Sequence, residues 1–215
     1  DIKFHDGSDF DADDVVYTLS WLIDPKVKLR FKGSYNWIKR AEKIDRYTVR
    51  VHSKKPYGPG MARLSLTIRM FPSDAHGALK TKSDFGKKPI GTGPYKVVFV
   101  DTNRGVKLVK NKAYRHATAA KPAASIGTVI GRAIPDLQSQ IAQMKIGKLD
   151  WMHGVPKDLA TAILADPRFT VSTTRGINFF YMGIDASGRS KNKALSNKNV
   201  RLAMMKAVDR KLIAE

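Results

Sequence analysis

The run Lys88-Pro89-Ile90-Gly91-Thr92-Gly93-Pro94-Tyr95-Lys96-Val97-Val98-Phe99-Val100 constrains this chain more than any other stretch. Pro94 has no amide donor and pushes Gly93 out of the α region, while the two glycines permit backbone angles that other residues avoid, so no helix can pass through it. The chain must turn sharply here. Tyr95, Val97, Val98, Phe99 and Val100 follow with little polar interruption, which predicts a strand covered on both faces and opening a second subdomain.

Before the corner, Ile2 and Phe4 alternate with polar neighbours, and His5-Asp6-Gly7-Ser8 reads as a turn. Asp11 is placed to cap a helix in which Val15, Val16, Leu19 and Leu22 recur at helical spacing, and Asp24-Pro25 ends it. The adjacent Asp13 and Asp14 fall in the first turn, where the helix dipole explains them better than acid–base chemistry does. Residues 26–40 are basic and contain Phe31, Tyr35 and Trp37, a pattern of irregular chain with a short helical piece. Residues 41–45 and 47–52 predict two strands about a tight turn, with Tyr47, Val49 and Val51 on one face. Periodicity does not decide between helix and strand for Met61 to Met70.

After the corner, Val106 to Val109 answers Tyr95 to Val100 across Asp101-Thr102-Asn103-Arg104-Gly105, a hairpin with glycine at its end. A strand is expected within Ile126–Ile134, and a helix starting at Pro135-Asp136 and ending at Gly147. Further strands are expected at Leu149–Met152, Phe169–Val171 and Asn178–Ile184, and helices from about Pro156 to Ala165 and from Val200 to Val208. Between the last two, Asp185 to Lys193 is a polar, hinge-like loop. Strands alternating with short helices indicate a mixed α/β protein.

Charge is the unusual total: 39 Lys plus Arg against 19 Asp plus Glu, a formal +20. The cations are spread through every segment, with no run of five, so a solvated basic surface is the simpler reading, and a basic module for nucleic acid or anionic surfaces is the competing one. Cysteine is absent, which removes disulfides, thiolate metal sites and thiol nucleophiles. The five histidines lie far apart, and none has a second ligand at metal-binding spacing. Gly91-Thr92-Gly93 precedes a strand instead of opening a helix, so it is not a phosphate loop. No Walker pattern or Gly-x-Ser-x-Gly elbow occurs. We therefore expect no enzyme, no cofactor and no metal. Aromatic and polar groups do gather at expected strand ends, in Asp150-Trp151-Met152-His153 and Asn178-Phe179-Phe180-Tyr181-Met182-Gly183, where small-ligand pockets tend to be built. No stretch approaches the roughly 18 to 20 apolar residues of a membrane span. The chain opens inside a strand-like pattern without methionine and stops inside a helical one, so a fragment of a longer protein is expected.

Several motifs, in order, resemble one family. Phe4-His5-Asp6-Gly7 with Ala12-Asp13-Asp14-Val15-Val16, Asp45-Arg46-Tyr47-Thr48-Val49, Pro89-Ile90-Gly91-Thr92-Gly93-Pro94-Tyr95, Ile146-Gly147-Lys148-Leu149-Asp150, and Asn199-Val200-Arg201-Leu202-Ala203 with Ala207-Val208-Asp209-Arg210 look like signatures of the extracytoplasmic solute-binding proteins of family 5. Lys148 stands where the family usually has an acidic residue, and Asp185 where many members carry asparagine.

The resemblance implies a type II periplasmic-binding fold, α/β with mixed sheets flanked by helices, here incomplete. Residues 1–90 would be an accessory subdomain of lobe I, 91–187 part of lobe I with hinge-proximal strands, and 188–215 the start of lobe II. It further implies solute capture by lobe closure and delivery to ABC permease membrane subunits, in a periplasmic or extracytoplasmic setting, by a monomer that binds no nucleic acid. Peptide is the leading cargo; a nickel complex, oligosaccharide or haem is also compatible. Tyr35, Asp150, Trp151, Met152 and Tyr181 would face the ligand.

Overall fold

The computed structural model describes residues 1–119, 122–174 and 181–214, and divides into two compact units, Asp1–Asp150 and Trp151–Glu215. In the first unit, helix α1 (Ala12–Ile23) begins with a reciprocal cap. The Asp13 amide donates to Asp11 Oδ1 at 2.9 Å, and the Asp11 amide donates to Asp14 Oδ2 at 3.0 Å. Two otherwise orphaned helix donors are thereby satisfied.

Leu19 and Leu22 of α1 meet Ile38 and Ile68 in the buried core, with Val15, Leu29, Tyr35, Trp37, Val51 and Leu64 packed around them. Burying such aliphatic side chains contributes about 1.5–3 kcal/mol each. Ile38 opens strand β1 (Ile38–Lys43), which pairs antiparallel with β2 (Val49–Ser53), matching Ala41 to Val51 and Lys43 to Val49. Tyr47 falls in the connecting turn, not on the strand, because the Asp45 carboxylate accepts its amide at 2.8 Å and closes the turn there.

The ambiguous Met61–Met70 stretch resolves into helix α2 (Gly60–Leu66) followed by a buried Ile68. Helix α3 (Ser73–Gly77) comes next. Two polar residues one turn apart on α1 fix this segment: buried Thr18 Oγ1 accepts the Phe71 amide at 2.9 Å, and buried Asp14 Oδ1 accepts the Ser73 amide at 2.7 Å. Beneath them lies an aromatic cluster. Phe71 stacks on His76 with centroids 4.3 Å apart, Trp21 and Phe85 meet the imidazole edge-on, and the Tyr17 hydroxyl bonds His76 Nδ1 at 2.7 Å.

Strands β3 (Tyr95–Asp101), β4 (Gly105–Lys110) and β5 (Thr128–Gly131) form an antiparallel sheet in that order. A bulge between Val97 and Phe99 leaves Val98 without a cross-strand partner. The expectation that β3 is covered on both faces is corrected: Val98 is 51% and Val100 43% exposed on a sheet of three short strands. In the turn, Asp101 Oδ1 accepts the amides of Asn103 and Arg104 at 2.8 Å each. Gly105 has φ +88°, and a Cβ there would sit 2.0 Å from the Gly131 carbonyl oxygen, so glycine is required on both counts.

Helix α4 (Leu137–Lys145) is capped by Asp136, whose carboxylate accepts the Ser139 amide at 2.7 Å. In the second unit, α5 (Lys157–Leu164) buries Ile163, α6 (Lys198–Ala207) is capped by the Asn197 side chain, and α7 (Arg210–Ala214) follows. The strands expected at Leu149–Met152, Phe169–Val171 and the Tyr181–Ile184 part of Asn178–Ile184 do not form. A strand exists only where a neighbour completes its ladder, and none of these segments has a β partner among the described residues. Asn178, Phe179 and Phe180 lie outside the described residues.

Candidate functional site

The glycine corner is held from both sides by distant residues. His5 donates its amide to the Gly91 carbonyl at 2.8 Å, and its imidazole spans the turn. Nε2 lies 3.0 Å from the Gly93 carbonyl, and Nδ1 accepts the Gly91 amide at 3.3 Å. Those two roles fit one neutral tautomer, protonated at Nε2. From the other side, buried Asn111 donates Nδ2 to the same Gly93 carbonyl at 3.2 Å and its amide to Pro94 at 2.8 Å. Lys96 Nζ completes the set on the His5 carbonyl at 2.8 Å. The corner is architectural: its polar groups face the protein's own residues.

The end of α4 sets the direction of the first ligand candidates. Gly147 takes φ +73°, the Lys148 amide reaches back to the Gln143 carbonyl at 2.8 Å, and the Gly147 amide to Met144 at 3.0 Å. This double closure ends the helix and turns the chain into Leu149-Asp150. Asp150 is exposed at the end of the first unit. Trp151 opens the second unit 73% exposed, with its ring 6.0 Å from that of His153, and Met152 is half-buried. Gly154, at φ +74°, bends the chain again before α5.

Tyr181 is 82% exposed and Met182 is exposed beside it. Tyr35 is different in kind: it follows a short 3-10 turn at Lys32–Ser34 and is half-buried against the α1–β1 core. Cavities of about 430 Å³, lined by Phe10, Val15 and Tyr47 among others, and about 400 Å³, lined by Leu79, Phe85 and Ile90, lie elsewhere in the first unit. None of the five candidates lines either one.

Asp185 organises its own loop. The Ser190 amide donates to its carboxylate and holds the group below the ordinary carboxylate range, with Arg189 Nε 3.6 Å from the other oxygen. Gly188, at φ +68°, supplies the bend between them. Lys148 is exposed. Two histidines that sequence spacing passes over prove to be structural: His5 at the corner, and His76, whose burial lowers its pKa from 6.5, helped by the charge of Lys82. The signal for His5 was its place in the Phe4–Gly7 motif; for His76 no local signal exists. Among the described residues no group of three or more His, Asp or Glu could hold a metal, and no helix is long and apolar enough to cross a membrane.

Comparison with known proteins gives a consistent answer. Residues 1–215 match the family described as bacterial extracellular solute-binding proteins, family 5 Middle. The chain is 28% identical over 217 residues to the oligopeptide-binding protein AppA of Bacillus subtilis (strain 168), covering 99% of this chain and 38% of that protein. Against the glutathione-binding protein GsiB of Escherichia coli (strain K12) it is 25% identical over 213 residues, covering 97% and 39%. The structure of B. subtilis AppA in complex with a nonapeptide superposes with a TM-score of 0.61 at 29% identity, covering 69% of this chain and 29% of that one. HbpA2 of Haemophilus parasuis gives 0.68 at 25% identity, covering 99% and 44%. The chain thus spans about two fifths of the curated relatives it matches.

Proposed function

Because the chain belongs to the bacterial extracellular solute-binding proteins of family 5, a family of binding proteins and not of enzymes, we propose that it forms part of an ABC-transporter binding protein. That protein captures a small solute between two lobes outside the cytoplasm and hands it to a membrane permease. The observation that carries this reading is the match of one family over all 215 residues. On the same reading, residues 1–90 are the accessory subdomain of lobe I, 91–187 continue lobe I, and 188–215 begin lobe II.

Peptide is the proposed cargo, by analogy with the oligopeptide-binding and glutathione-binding relatives. We assign ligand contact to Tyr35, Asp150, Trp151, Met152 and Tyr181. The exposure of Trp151 and Tyr181 supports this, since large rings left open by their own unit suit the wall of a cleft that closes on a solute. No bond is made or broken; affinity comes from closure.

The experiment is a ligand screen by thermal shift on the full-length binding protein of which this chain is part, using peptide, glutathione, nickel–histidine and haem libraries; the chain alone is expected to bind no solute tightly. A bound solute raises the apparent melting temperature by mass action. A peptide-specific, saturable shift supports the assignment, and a response to none of the four classes argues against it.

A further inference from the structure

The loop between α1 and β1, which also carries the proposed solute contact Tyr35, presents a second feature at residues 26–31. From Asp24 to Glu42 the sequence has no other acidic residue, but six cations: Lys26, Lys28, Arg30, Lys32, Lys39 and Arg40. Lys32 folds the loop on itself, its ammonium donating to the carbonyls of Asp24, Pro25 and Val27 at 2.8, 3.2 and 3.1 Å. The Asp24 carboxylate accepts the Lys26 amide at 2.8 Å, and the Val27 amide reaches the Asp24 carbonyl at 3.1 Å. The loop is therefore shaped before any partner arrives.

Burial alternates along it. Val27 and Leu29 are half-buried, Leu29 against the hydrophobic core, while Lys26, Lys28 and Arg30 are exposed and form no ion pair among the described residues. That alternation should turn Phe31 inward. Its ring is instead 66% exposed, with the Arg30 guanidinium 5.2 Å from its centroid. A single exposed apolar residue is ordinary; an outward ring under the Arg30 guanidinium, in a loop whose Lys26, Lys28 and Arg30 form no ion pair among the described residues, suits a surface both anionic and apolar beneath.

We propose that residues 26–31 dock on an anionic phospholipid membrane, with the Phe31 ring entering the headgroup region and Lys26, Lys28 and Arg30 meeting lipid phosphates. The choice of lipid over a nucleic acid rests on the extracytoplasmic reading above. Docking would hold the binding protein near the membrane that contains its permease.

The test is co-sedimentation of the full chain with phosphatidylcholine vesicles containing about 30% phosphatidylglycerol, and with pure phosphatidylcholine vesicles, over a salt series. The loop variant Lys26→Gln/Lys28→Gln/Arg30→Gln is expected to bind anionic vesicles roughly tenfold more weakly, and Phe31→Ser roughly threefold more weakly. A control of equal charge, Lys54→Gln/Lys55→Gln/Lys80→Gln, removes three exposed cations outside the loop and is expected to change binding less than about twofold. Circular dichroism and the melting temperature establish that each variant is folded. Equal losses in the loop and control variants would reduce the effect to bulk charge and overturn the proposal, as would an unchanged Phe31→Ser. So would a loop variant that loses a labelled oligonucleotide but keeps vesicles. Solute-induced thermal shifts on the same variants separate the two readings, since a loop variant can lose vesicles and keep its solute response.

Discussion

His5 Nε2 lies 3.0 Å from the carbonyl of Gly93, 88 positions away, and so joins the first turn of the chain to the corner from which the central sheet begins. With Nδ1 accepting the Gly91 amide and Asn111 donating to the same Gly93 carbonyl, three side-chain bonds add to the backbone bonds from the His5 amide to Gly91 and from the Asn111 amide to Pro94 in holding the turn. Replacing His5 with Ala should strip the Gly91 amide of its acceptor, leave the Gly93 carbonyl to Asn111 alone, and lower stability by about 1–3 kcal/mol. Urea denaturation measures this. If the corner is a shared network, His5→Ala/Asn111→Ala will cost a different amount from the sum of the single variants, because both act on one carbonyl.

Asp14 ties two helix starts together through one buried carboxylate, accepting from Asp11 and from Ser73. Asp14→Ala should cost about 2–4 kcal/mol, more than the ordinary loss of a cap, because a second amide is stranded away from water. Asp13→Ala should cost less than about 1 kcal/mol, since the Asp13 carboxylate meets only the exposed Lys43 at 2.7 Å. A comparison of denaturation midpoints distinguishes the two neighbours.

Gly105→Ala forces a positive φ on a residue with a Cβ and drives that atom into the Gly131 backbone. A loss of at least about 2 kcal/mol is expected. Hydrogen exchange should show the loosening first in β4 and β5, with α1 unaffected.

The pH dependence of stability should carry the mark of His76. Burial lowers its folded pKa below the 6.5 of the unfolded chain, so the unfolded state takes up the proton first as the pH falls. Its contribution is complete above about pH 6.5 and is lost as the pH falls through the lower, folded value. The variant His76→Phe keeps a ring among Phe71, Trp21 and Phe85 and should flatten that part of the profile, as read by melting temperatures between pH 5 and 8.

If Trp151 and Tyr181 form part of a solute-binding wall, Trp151→Ala and Tyr181→Ala should each weaken solute binding about tenfold or more. Their exposure predicts changes in melting temperature of only a degree or two without solute. Isothermal titration against the solute identified by the screen reads the affinities.

What could be read from the sequence was local. Asp11 and Asp136 cap helices because a carboxylate meets amides two or three residues on, and Gly105 and Gly147 turn the chain because only glycine tolerates their φ. Each of these signals lies within a few residues. His5 with Gly93, Tyr17 with His76, and Thr18 with Phe71 are separated by 88, 59 and 53 positions, and nothing in the intervening chain announces them. Apolar content in Phe169–Val171 and Tyr181–Ile184 suggested strands, but pairing requires a neighbour that apolar content cannot supply. The ligand candidates came from the family resemblance and from aromatic residues near expected strand ends. Tyr35 came from the resemblance alone, and it packs against the core.

Lys32 and Lys82 each direct one ammonium at three backbone carbonyls, those of residues 24, 25 and 27 and of residues 76, 77 and 79. A tetrahedral head with three donors matches such a cup, and a planar guanidinium does not. Two of the cations that make this protein so basic are thus internal struts that close loops and cap a helix end. An effort to lower the isoelectric point, for crystallisation or formulation, can neutralise exposed lysines such as Lys54 and Lys55 freely. It must leave Lys32 and Lys82 alone, and arginine will not serve in their place.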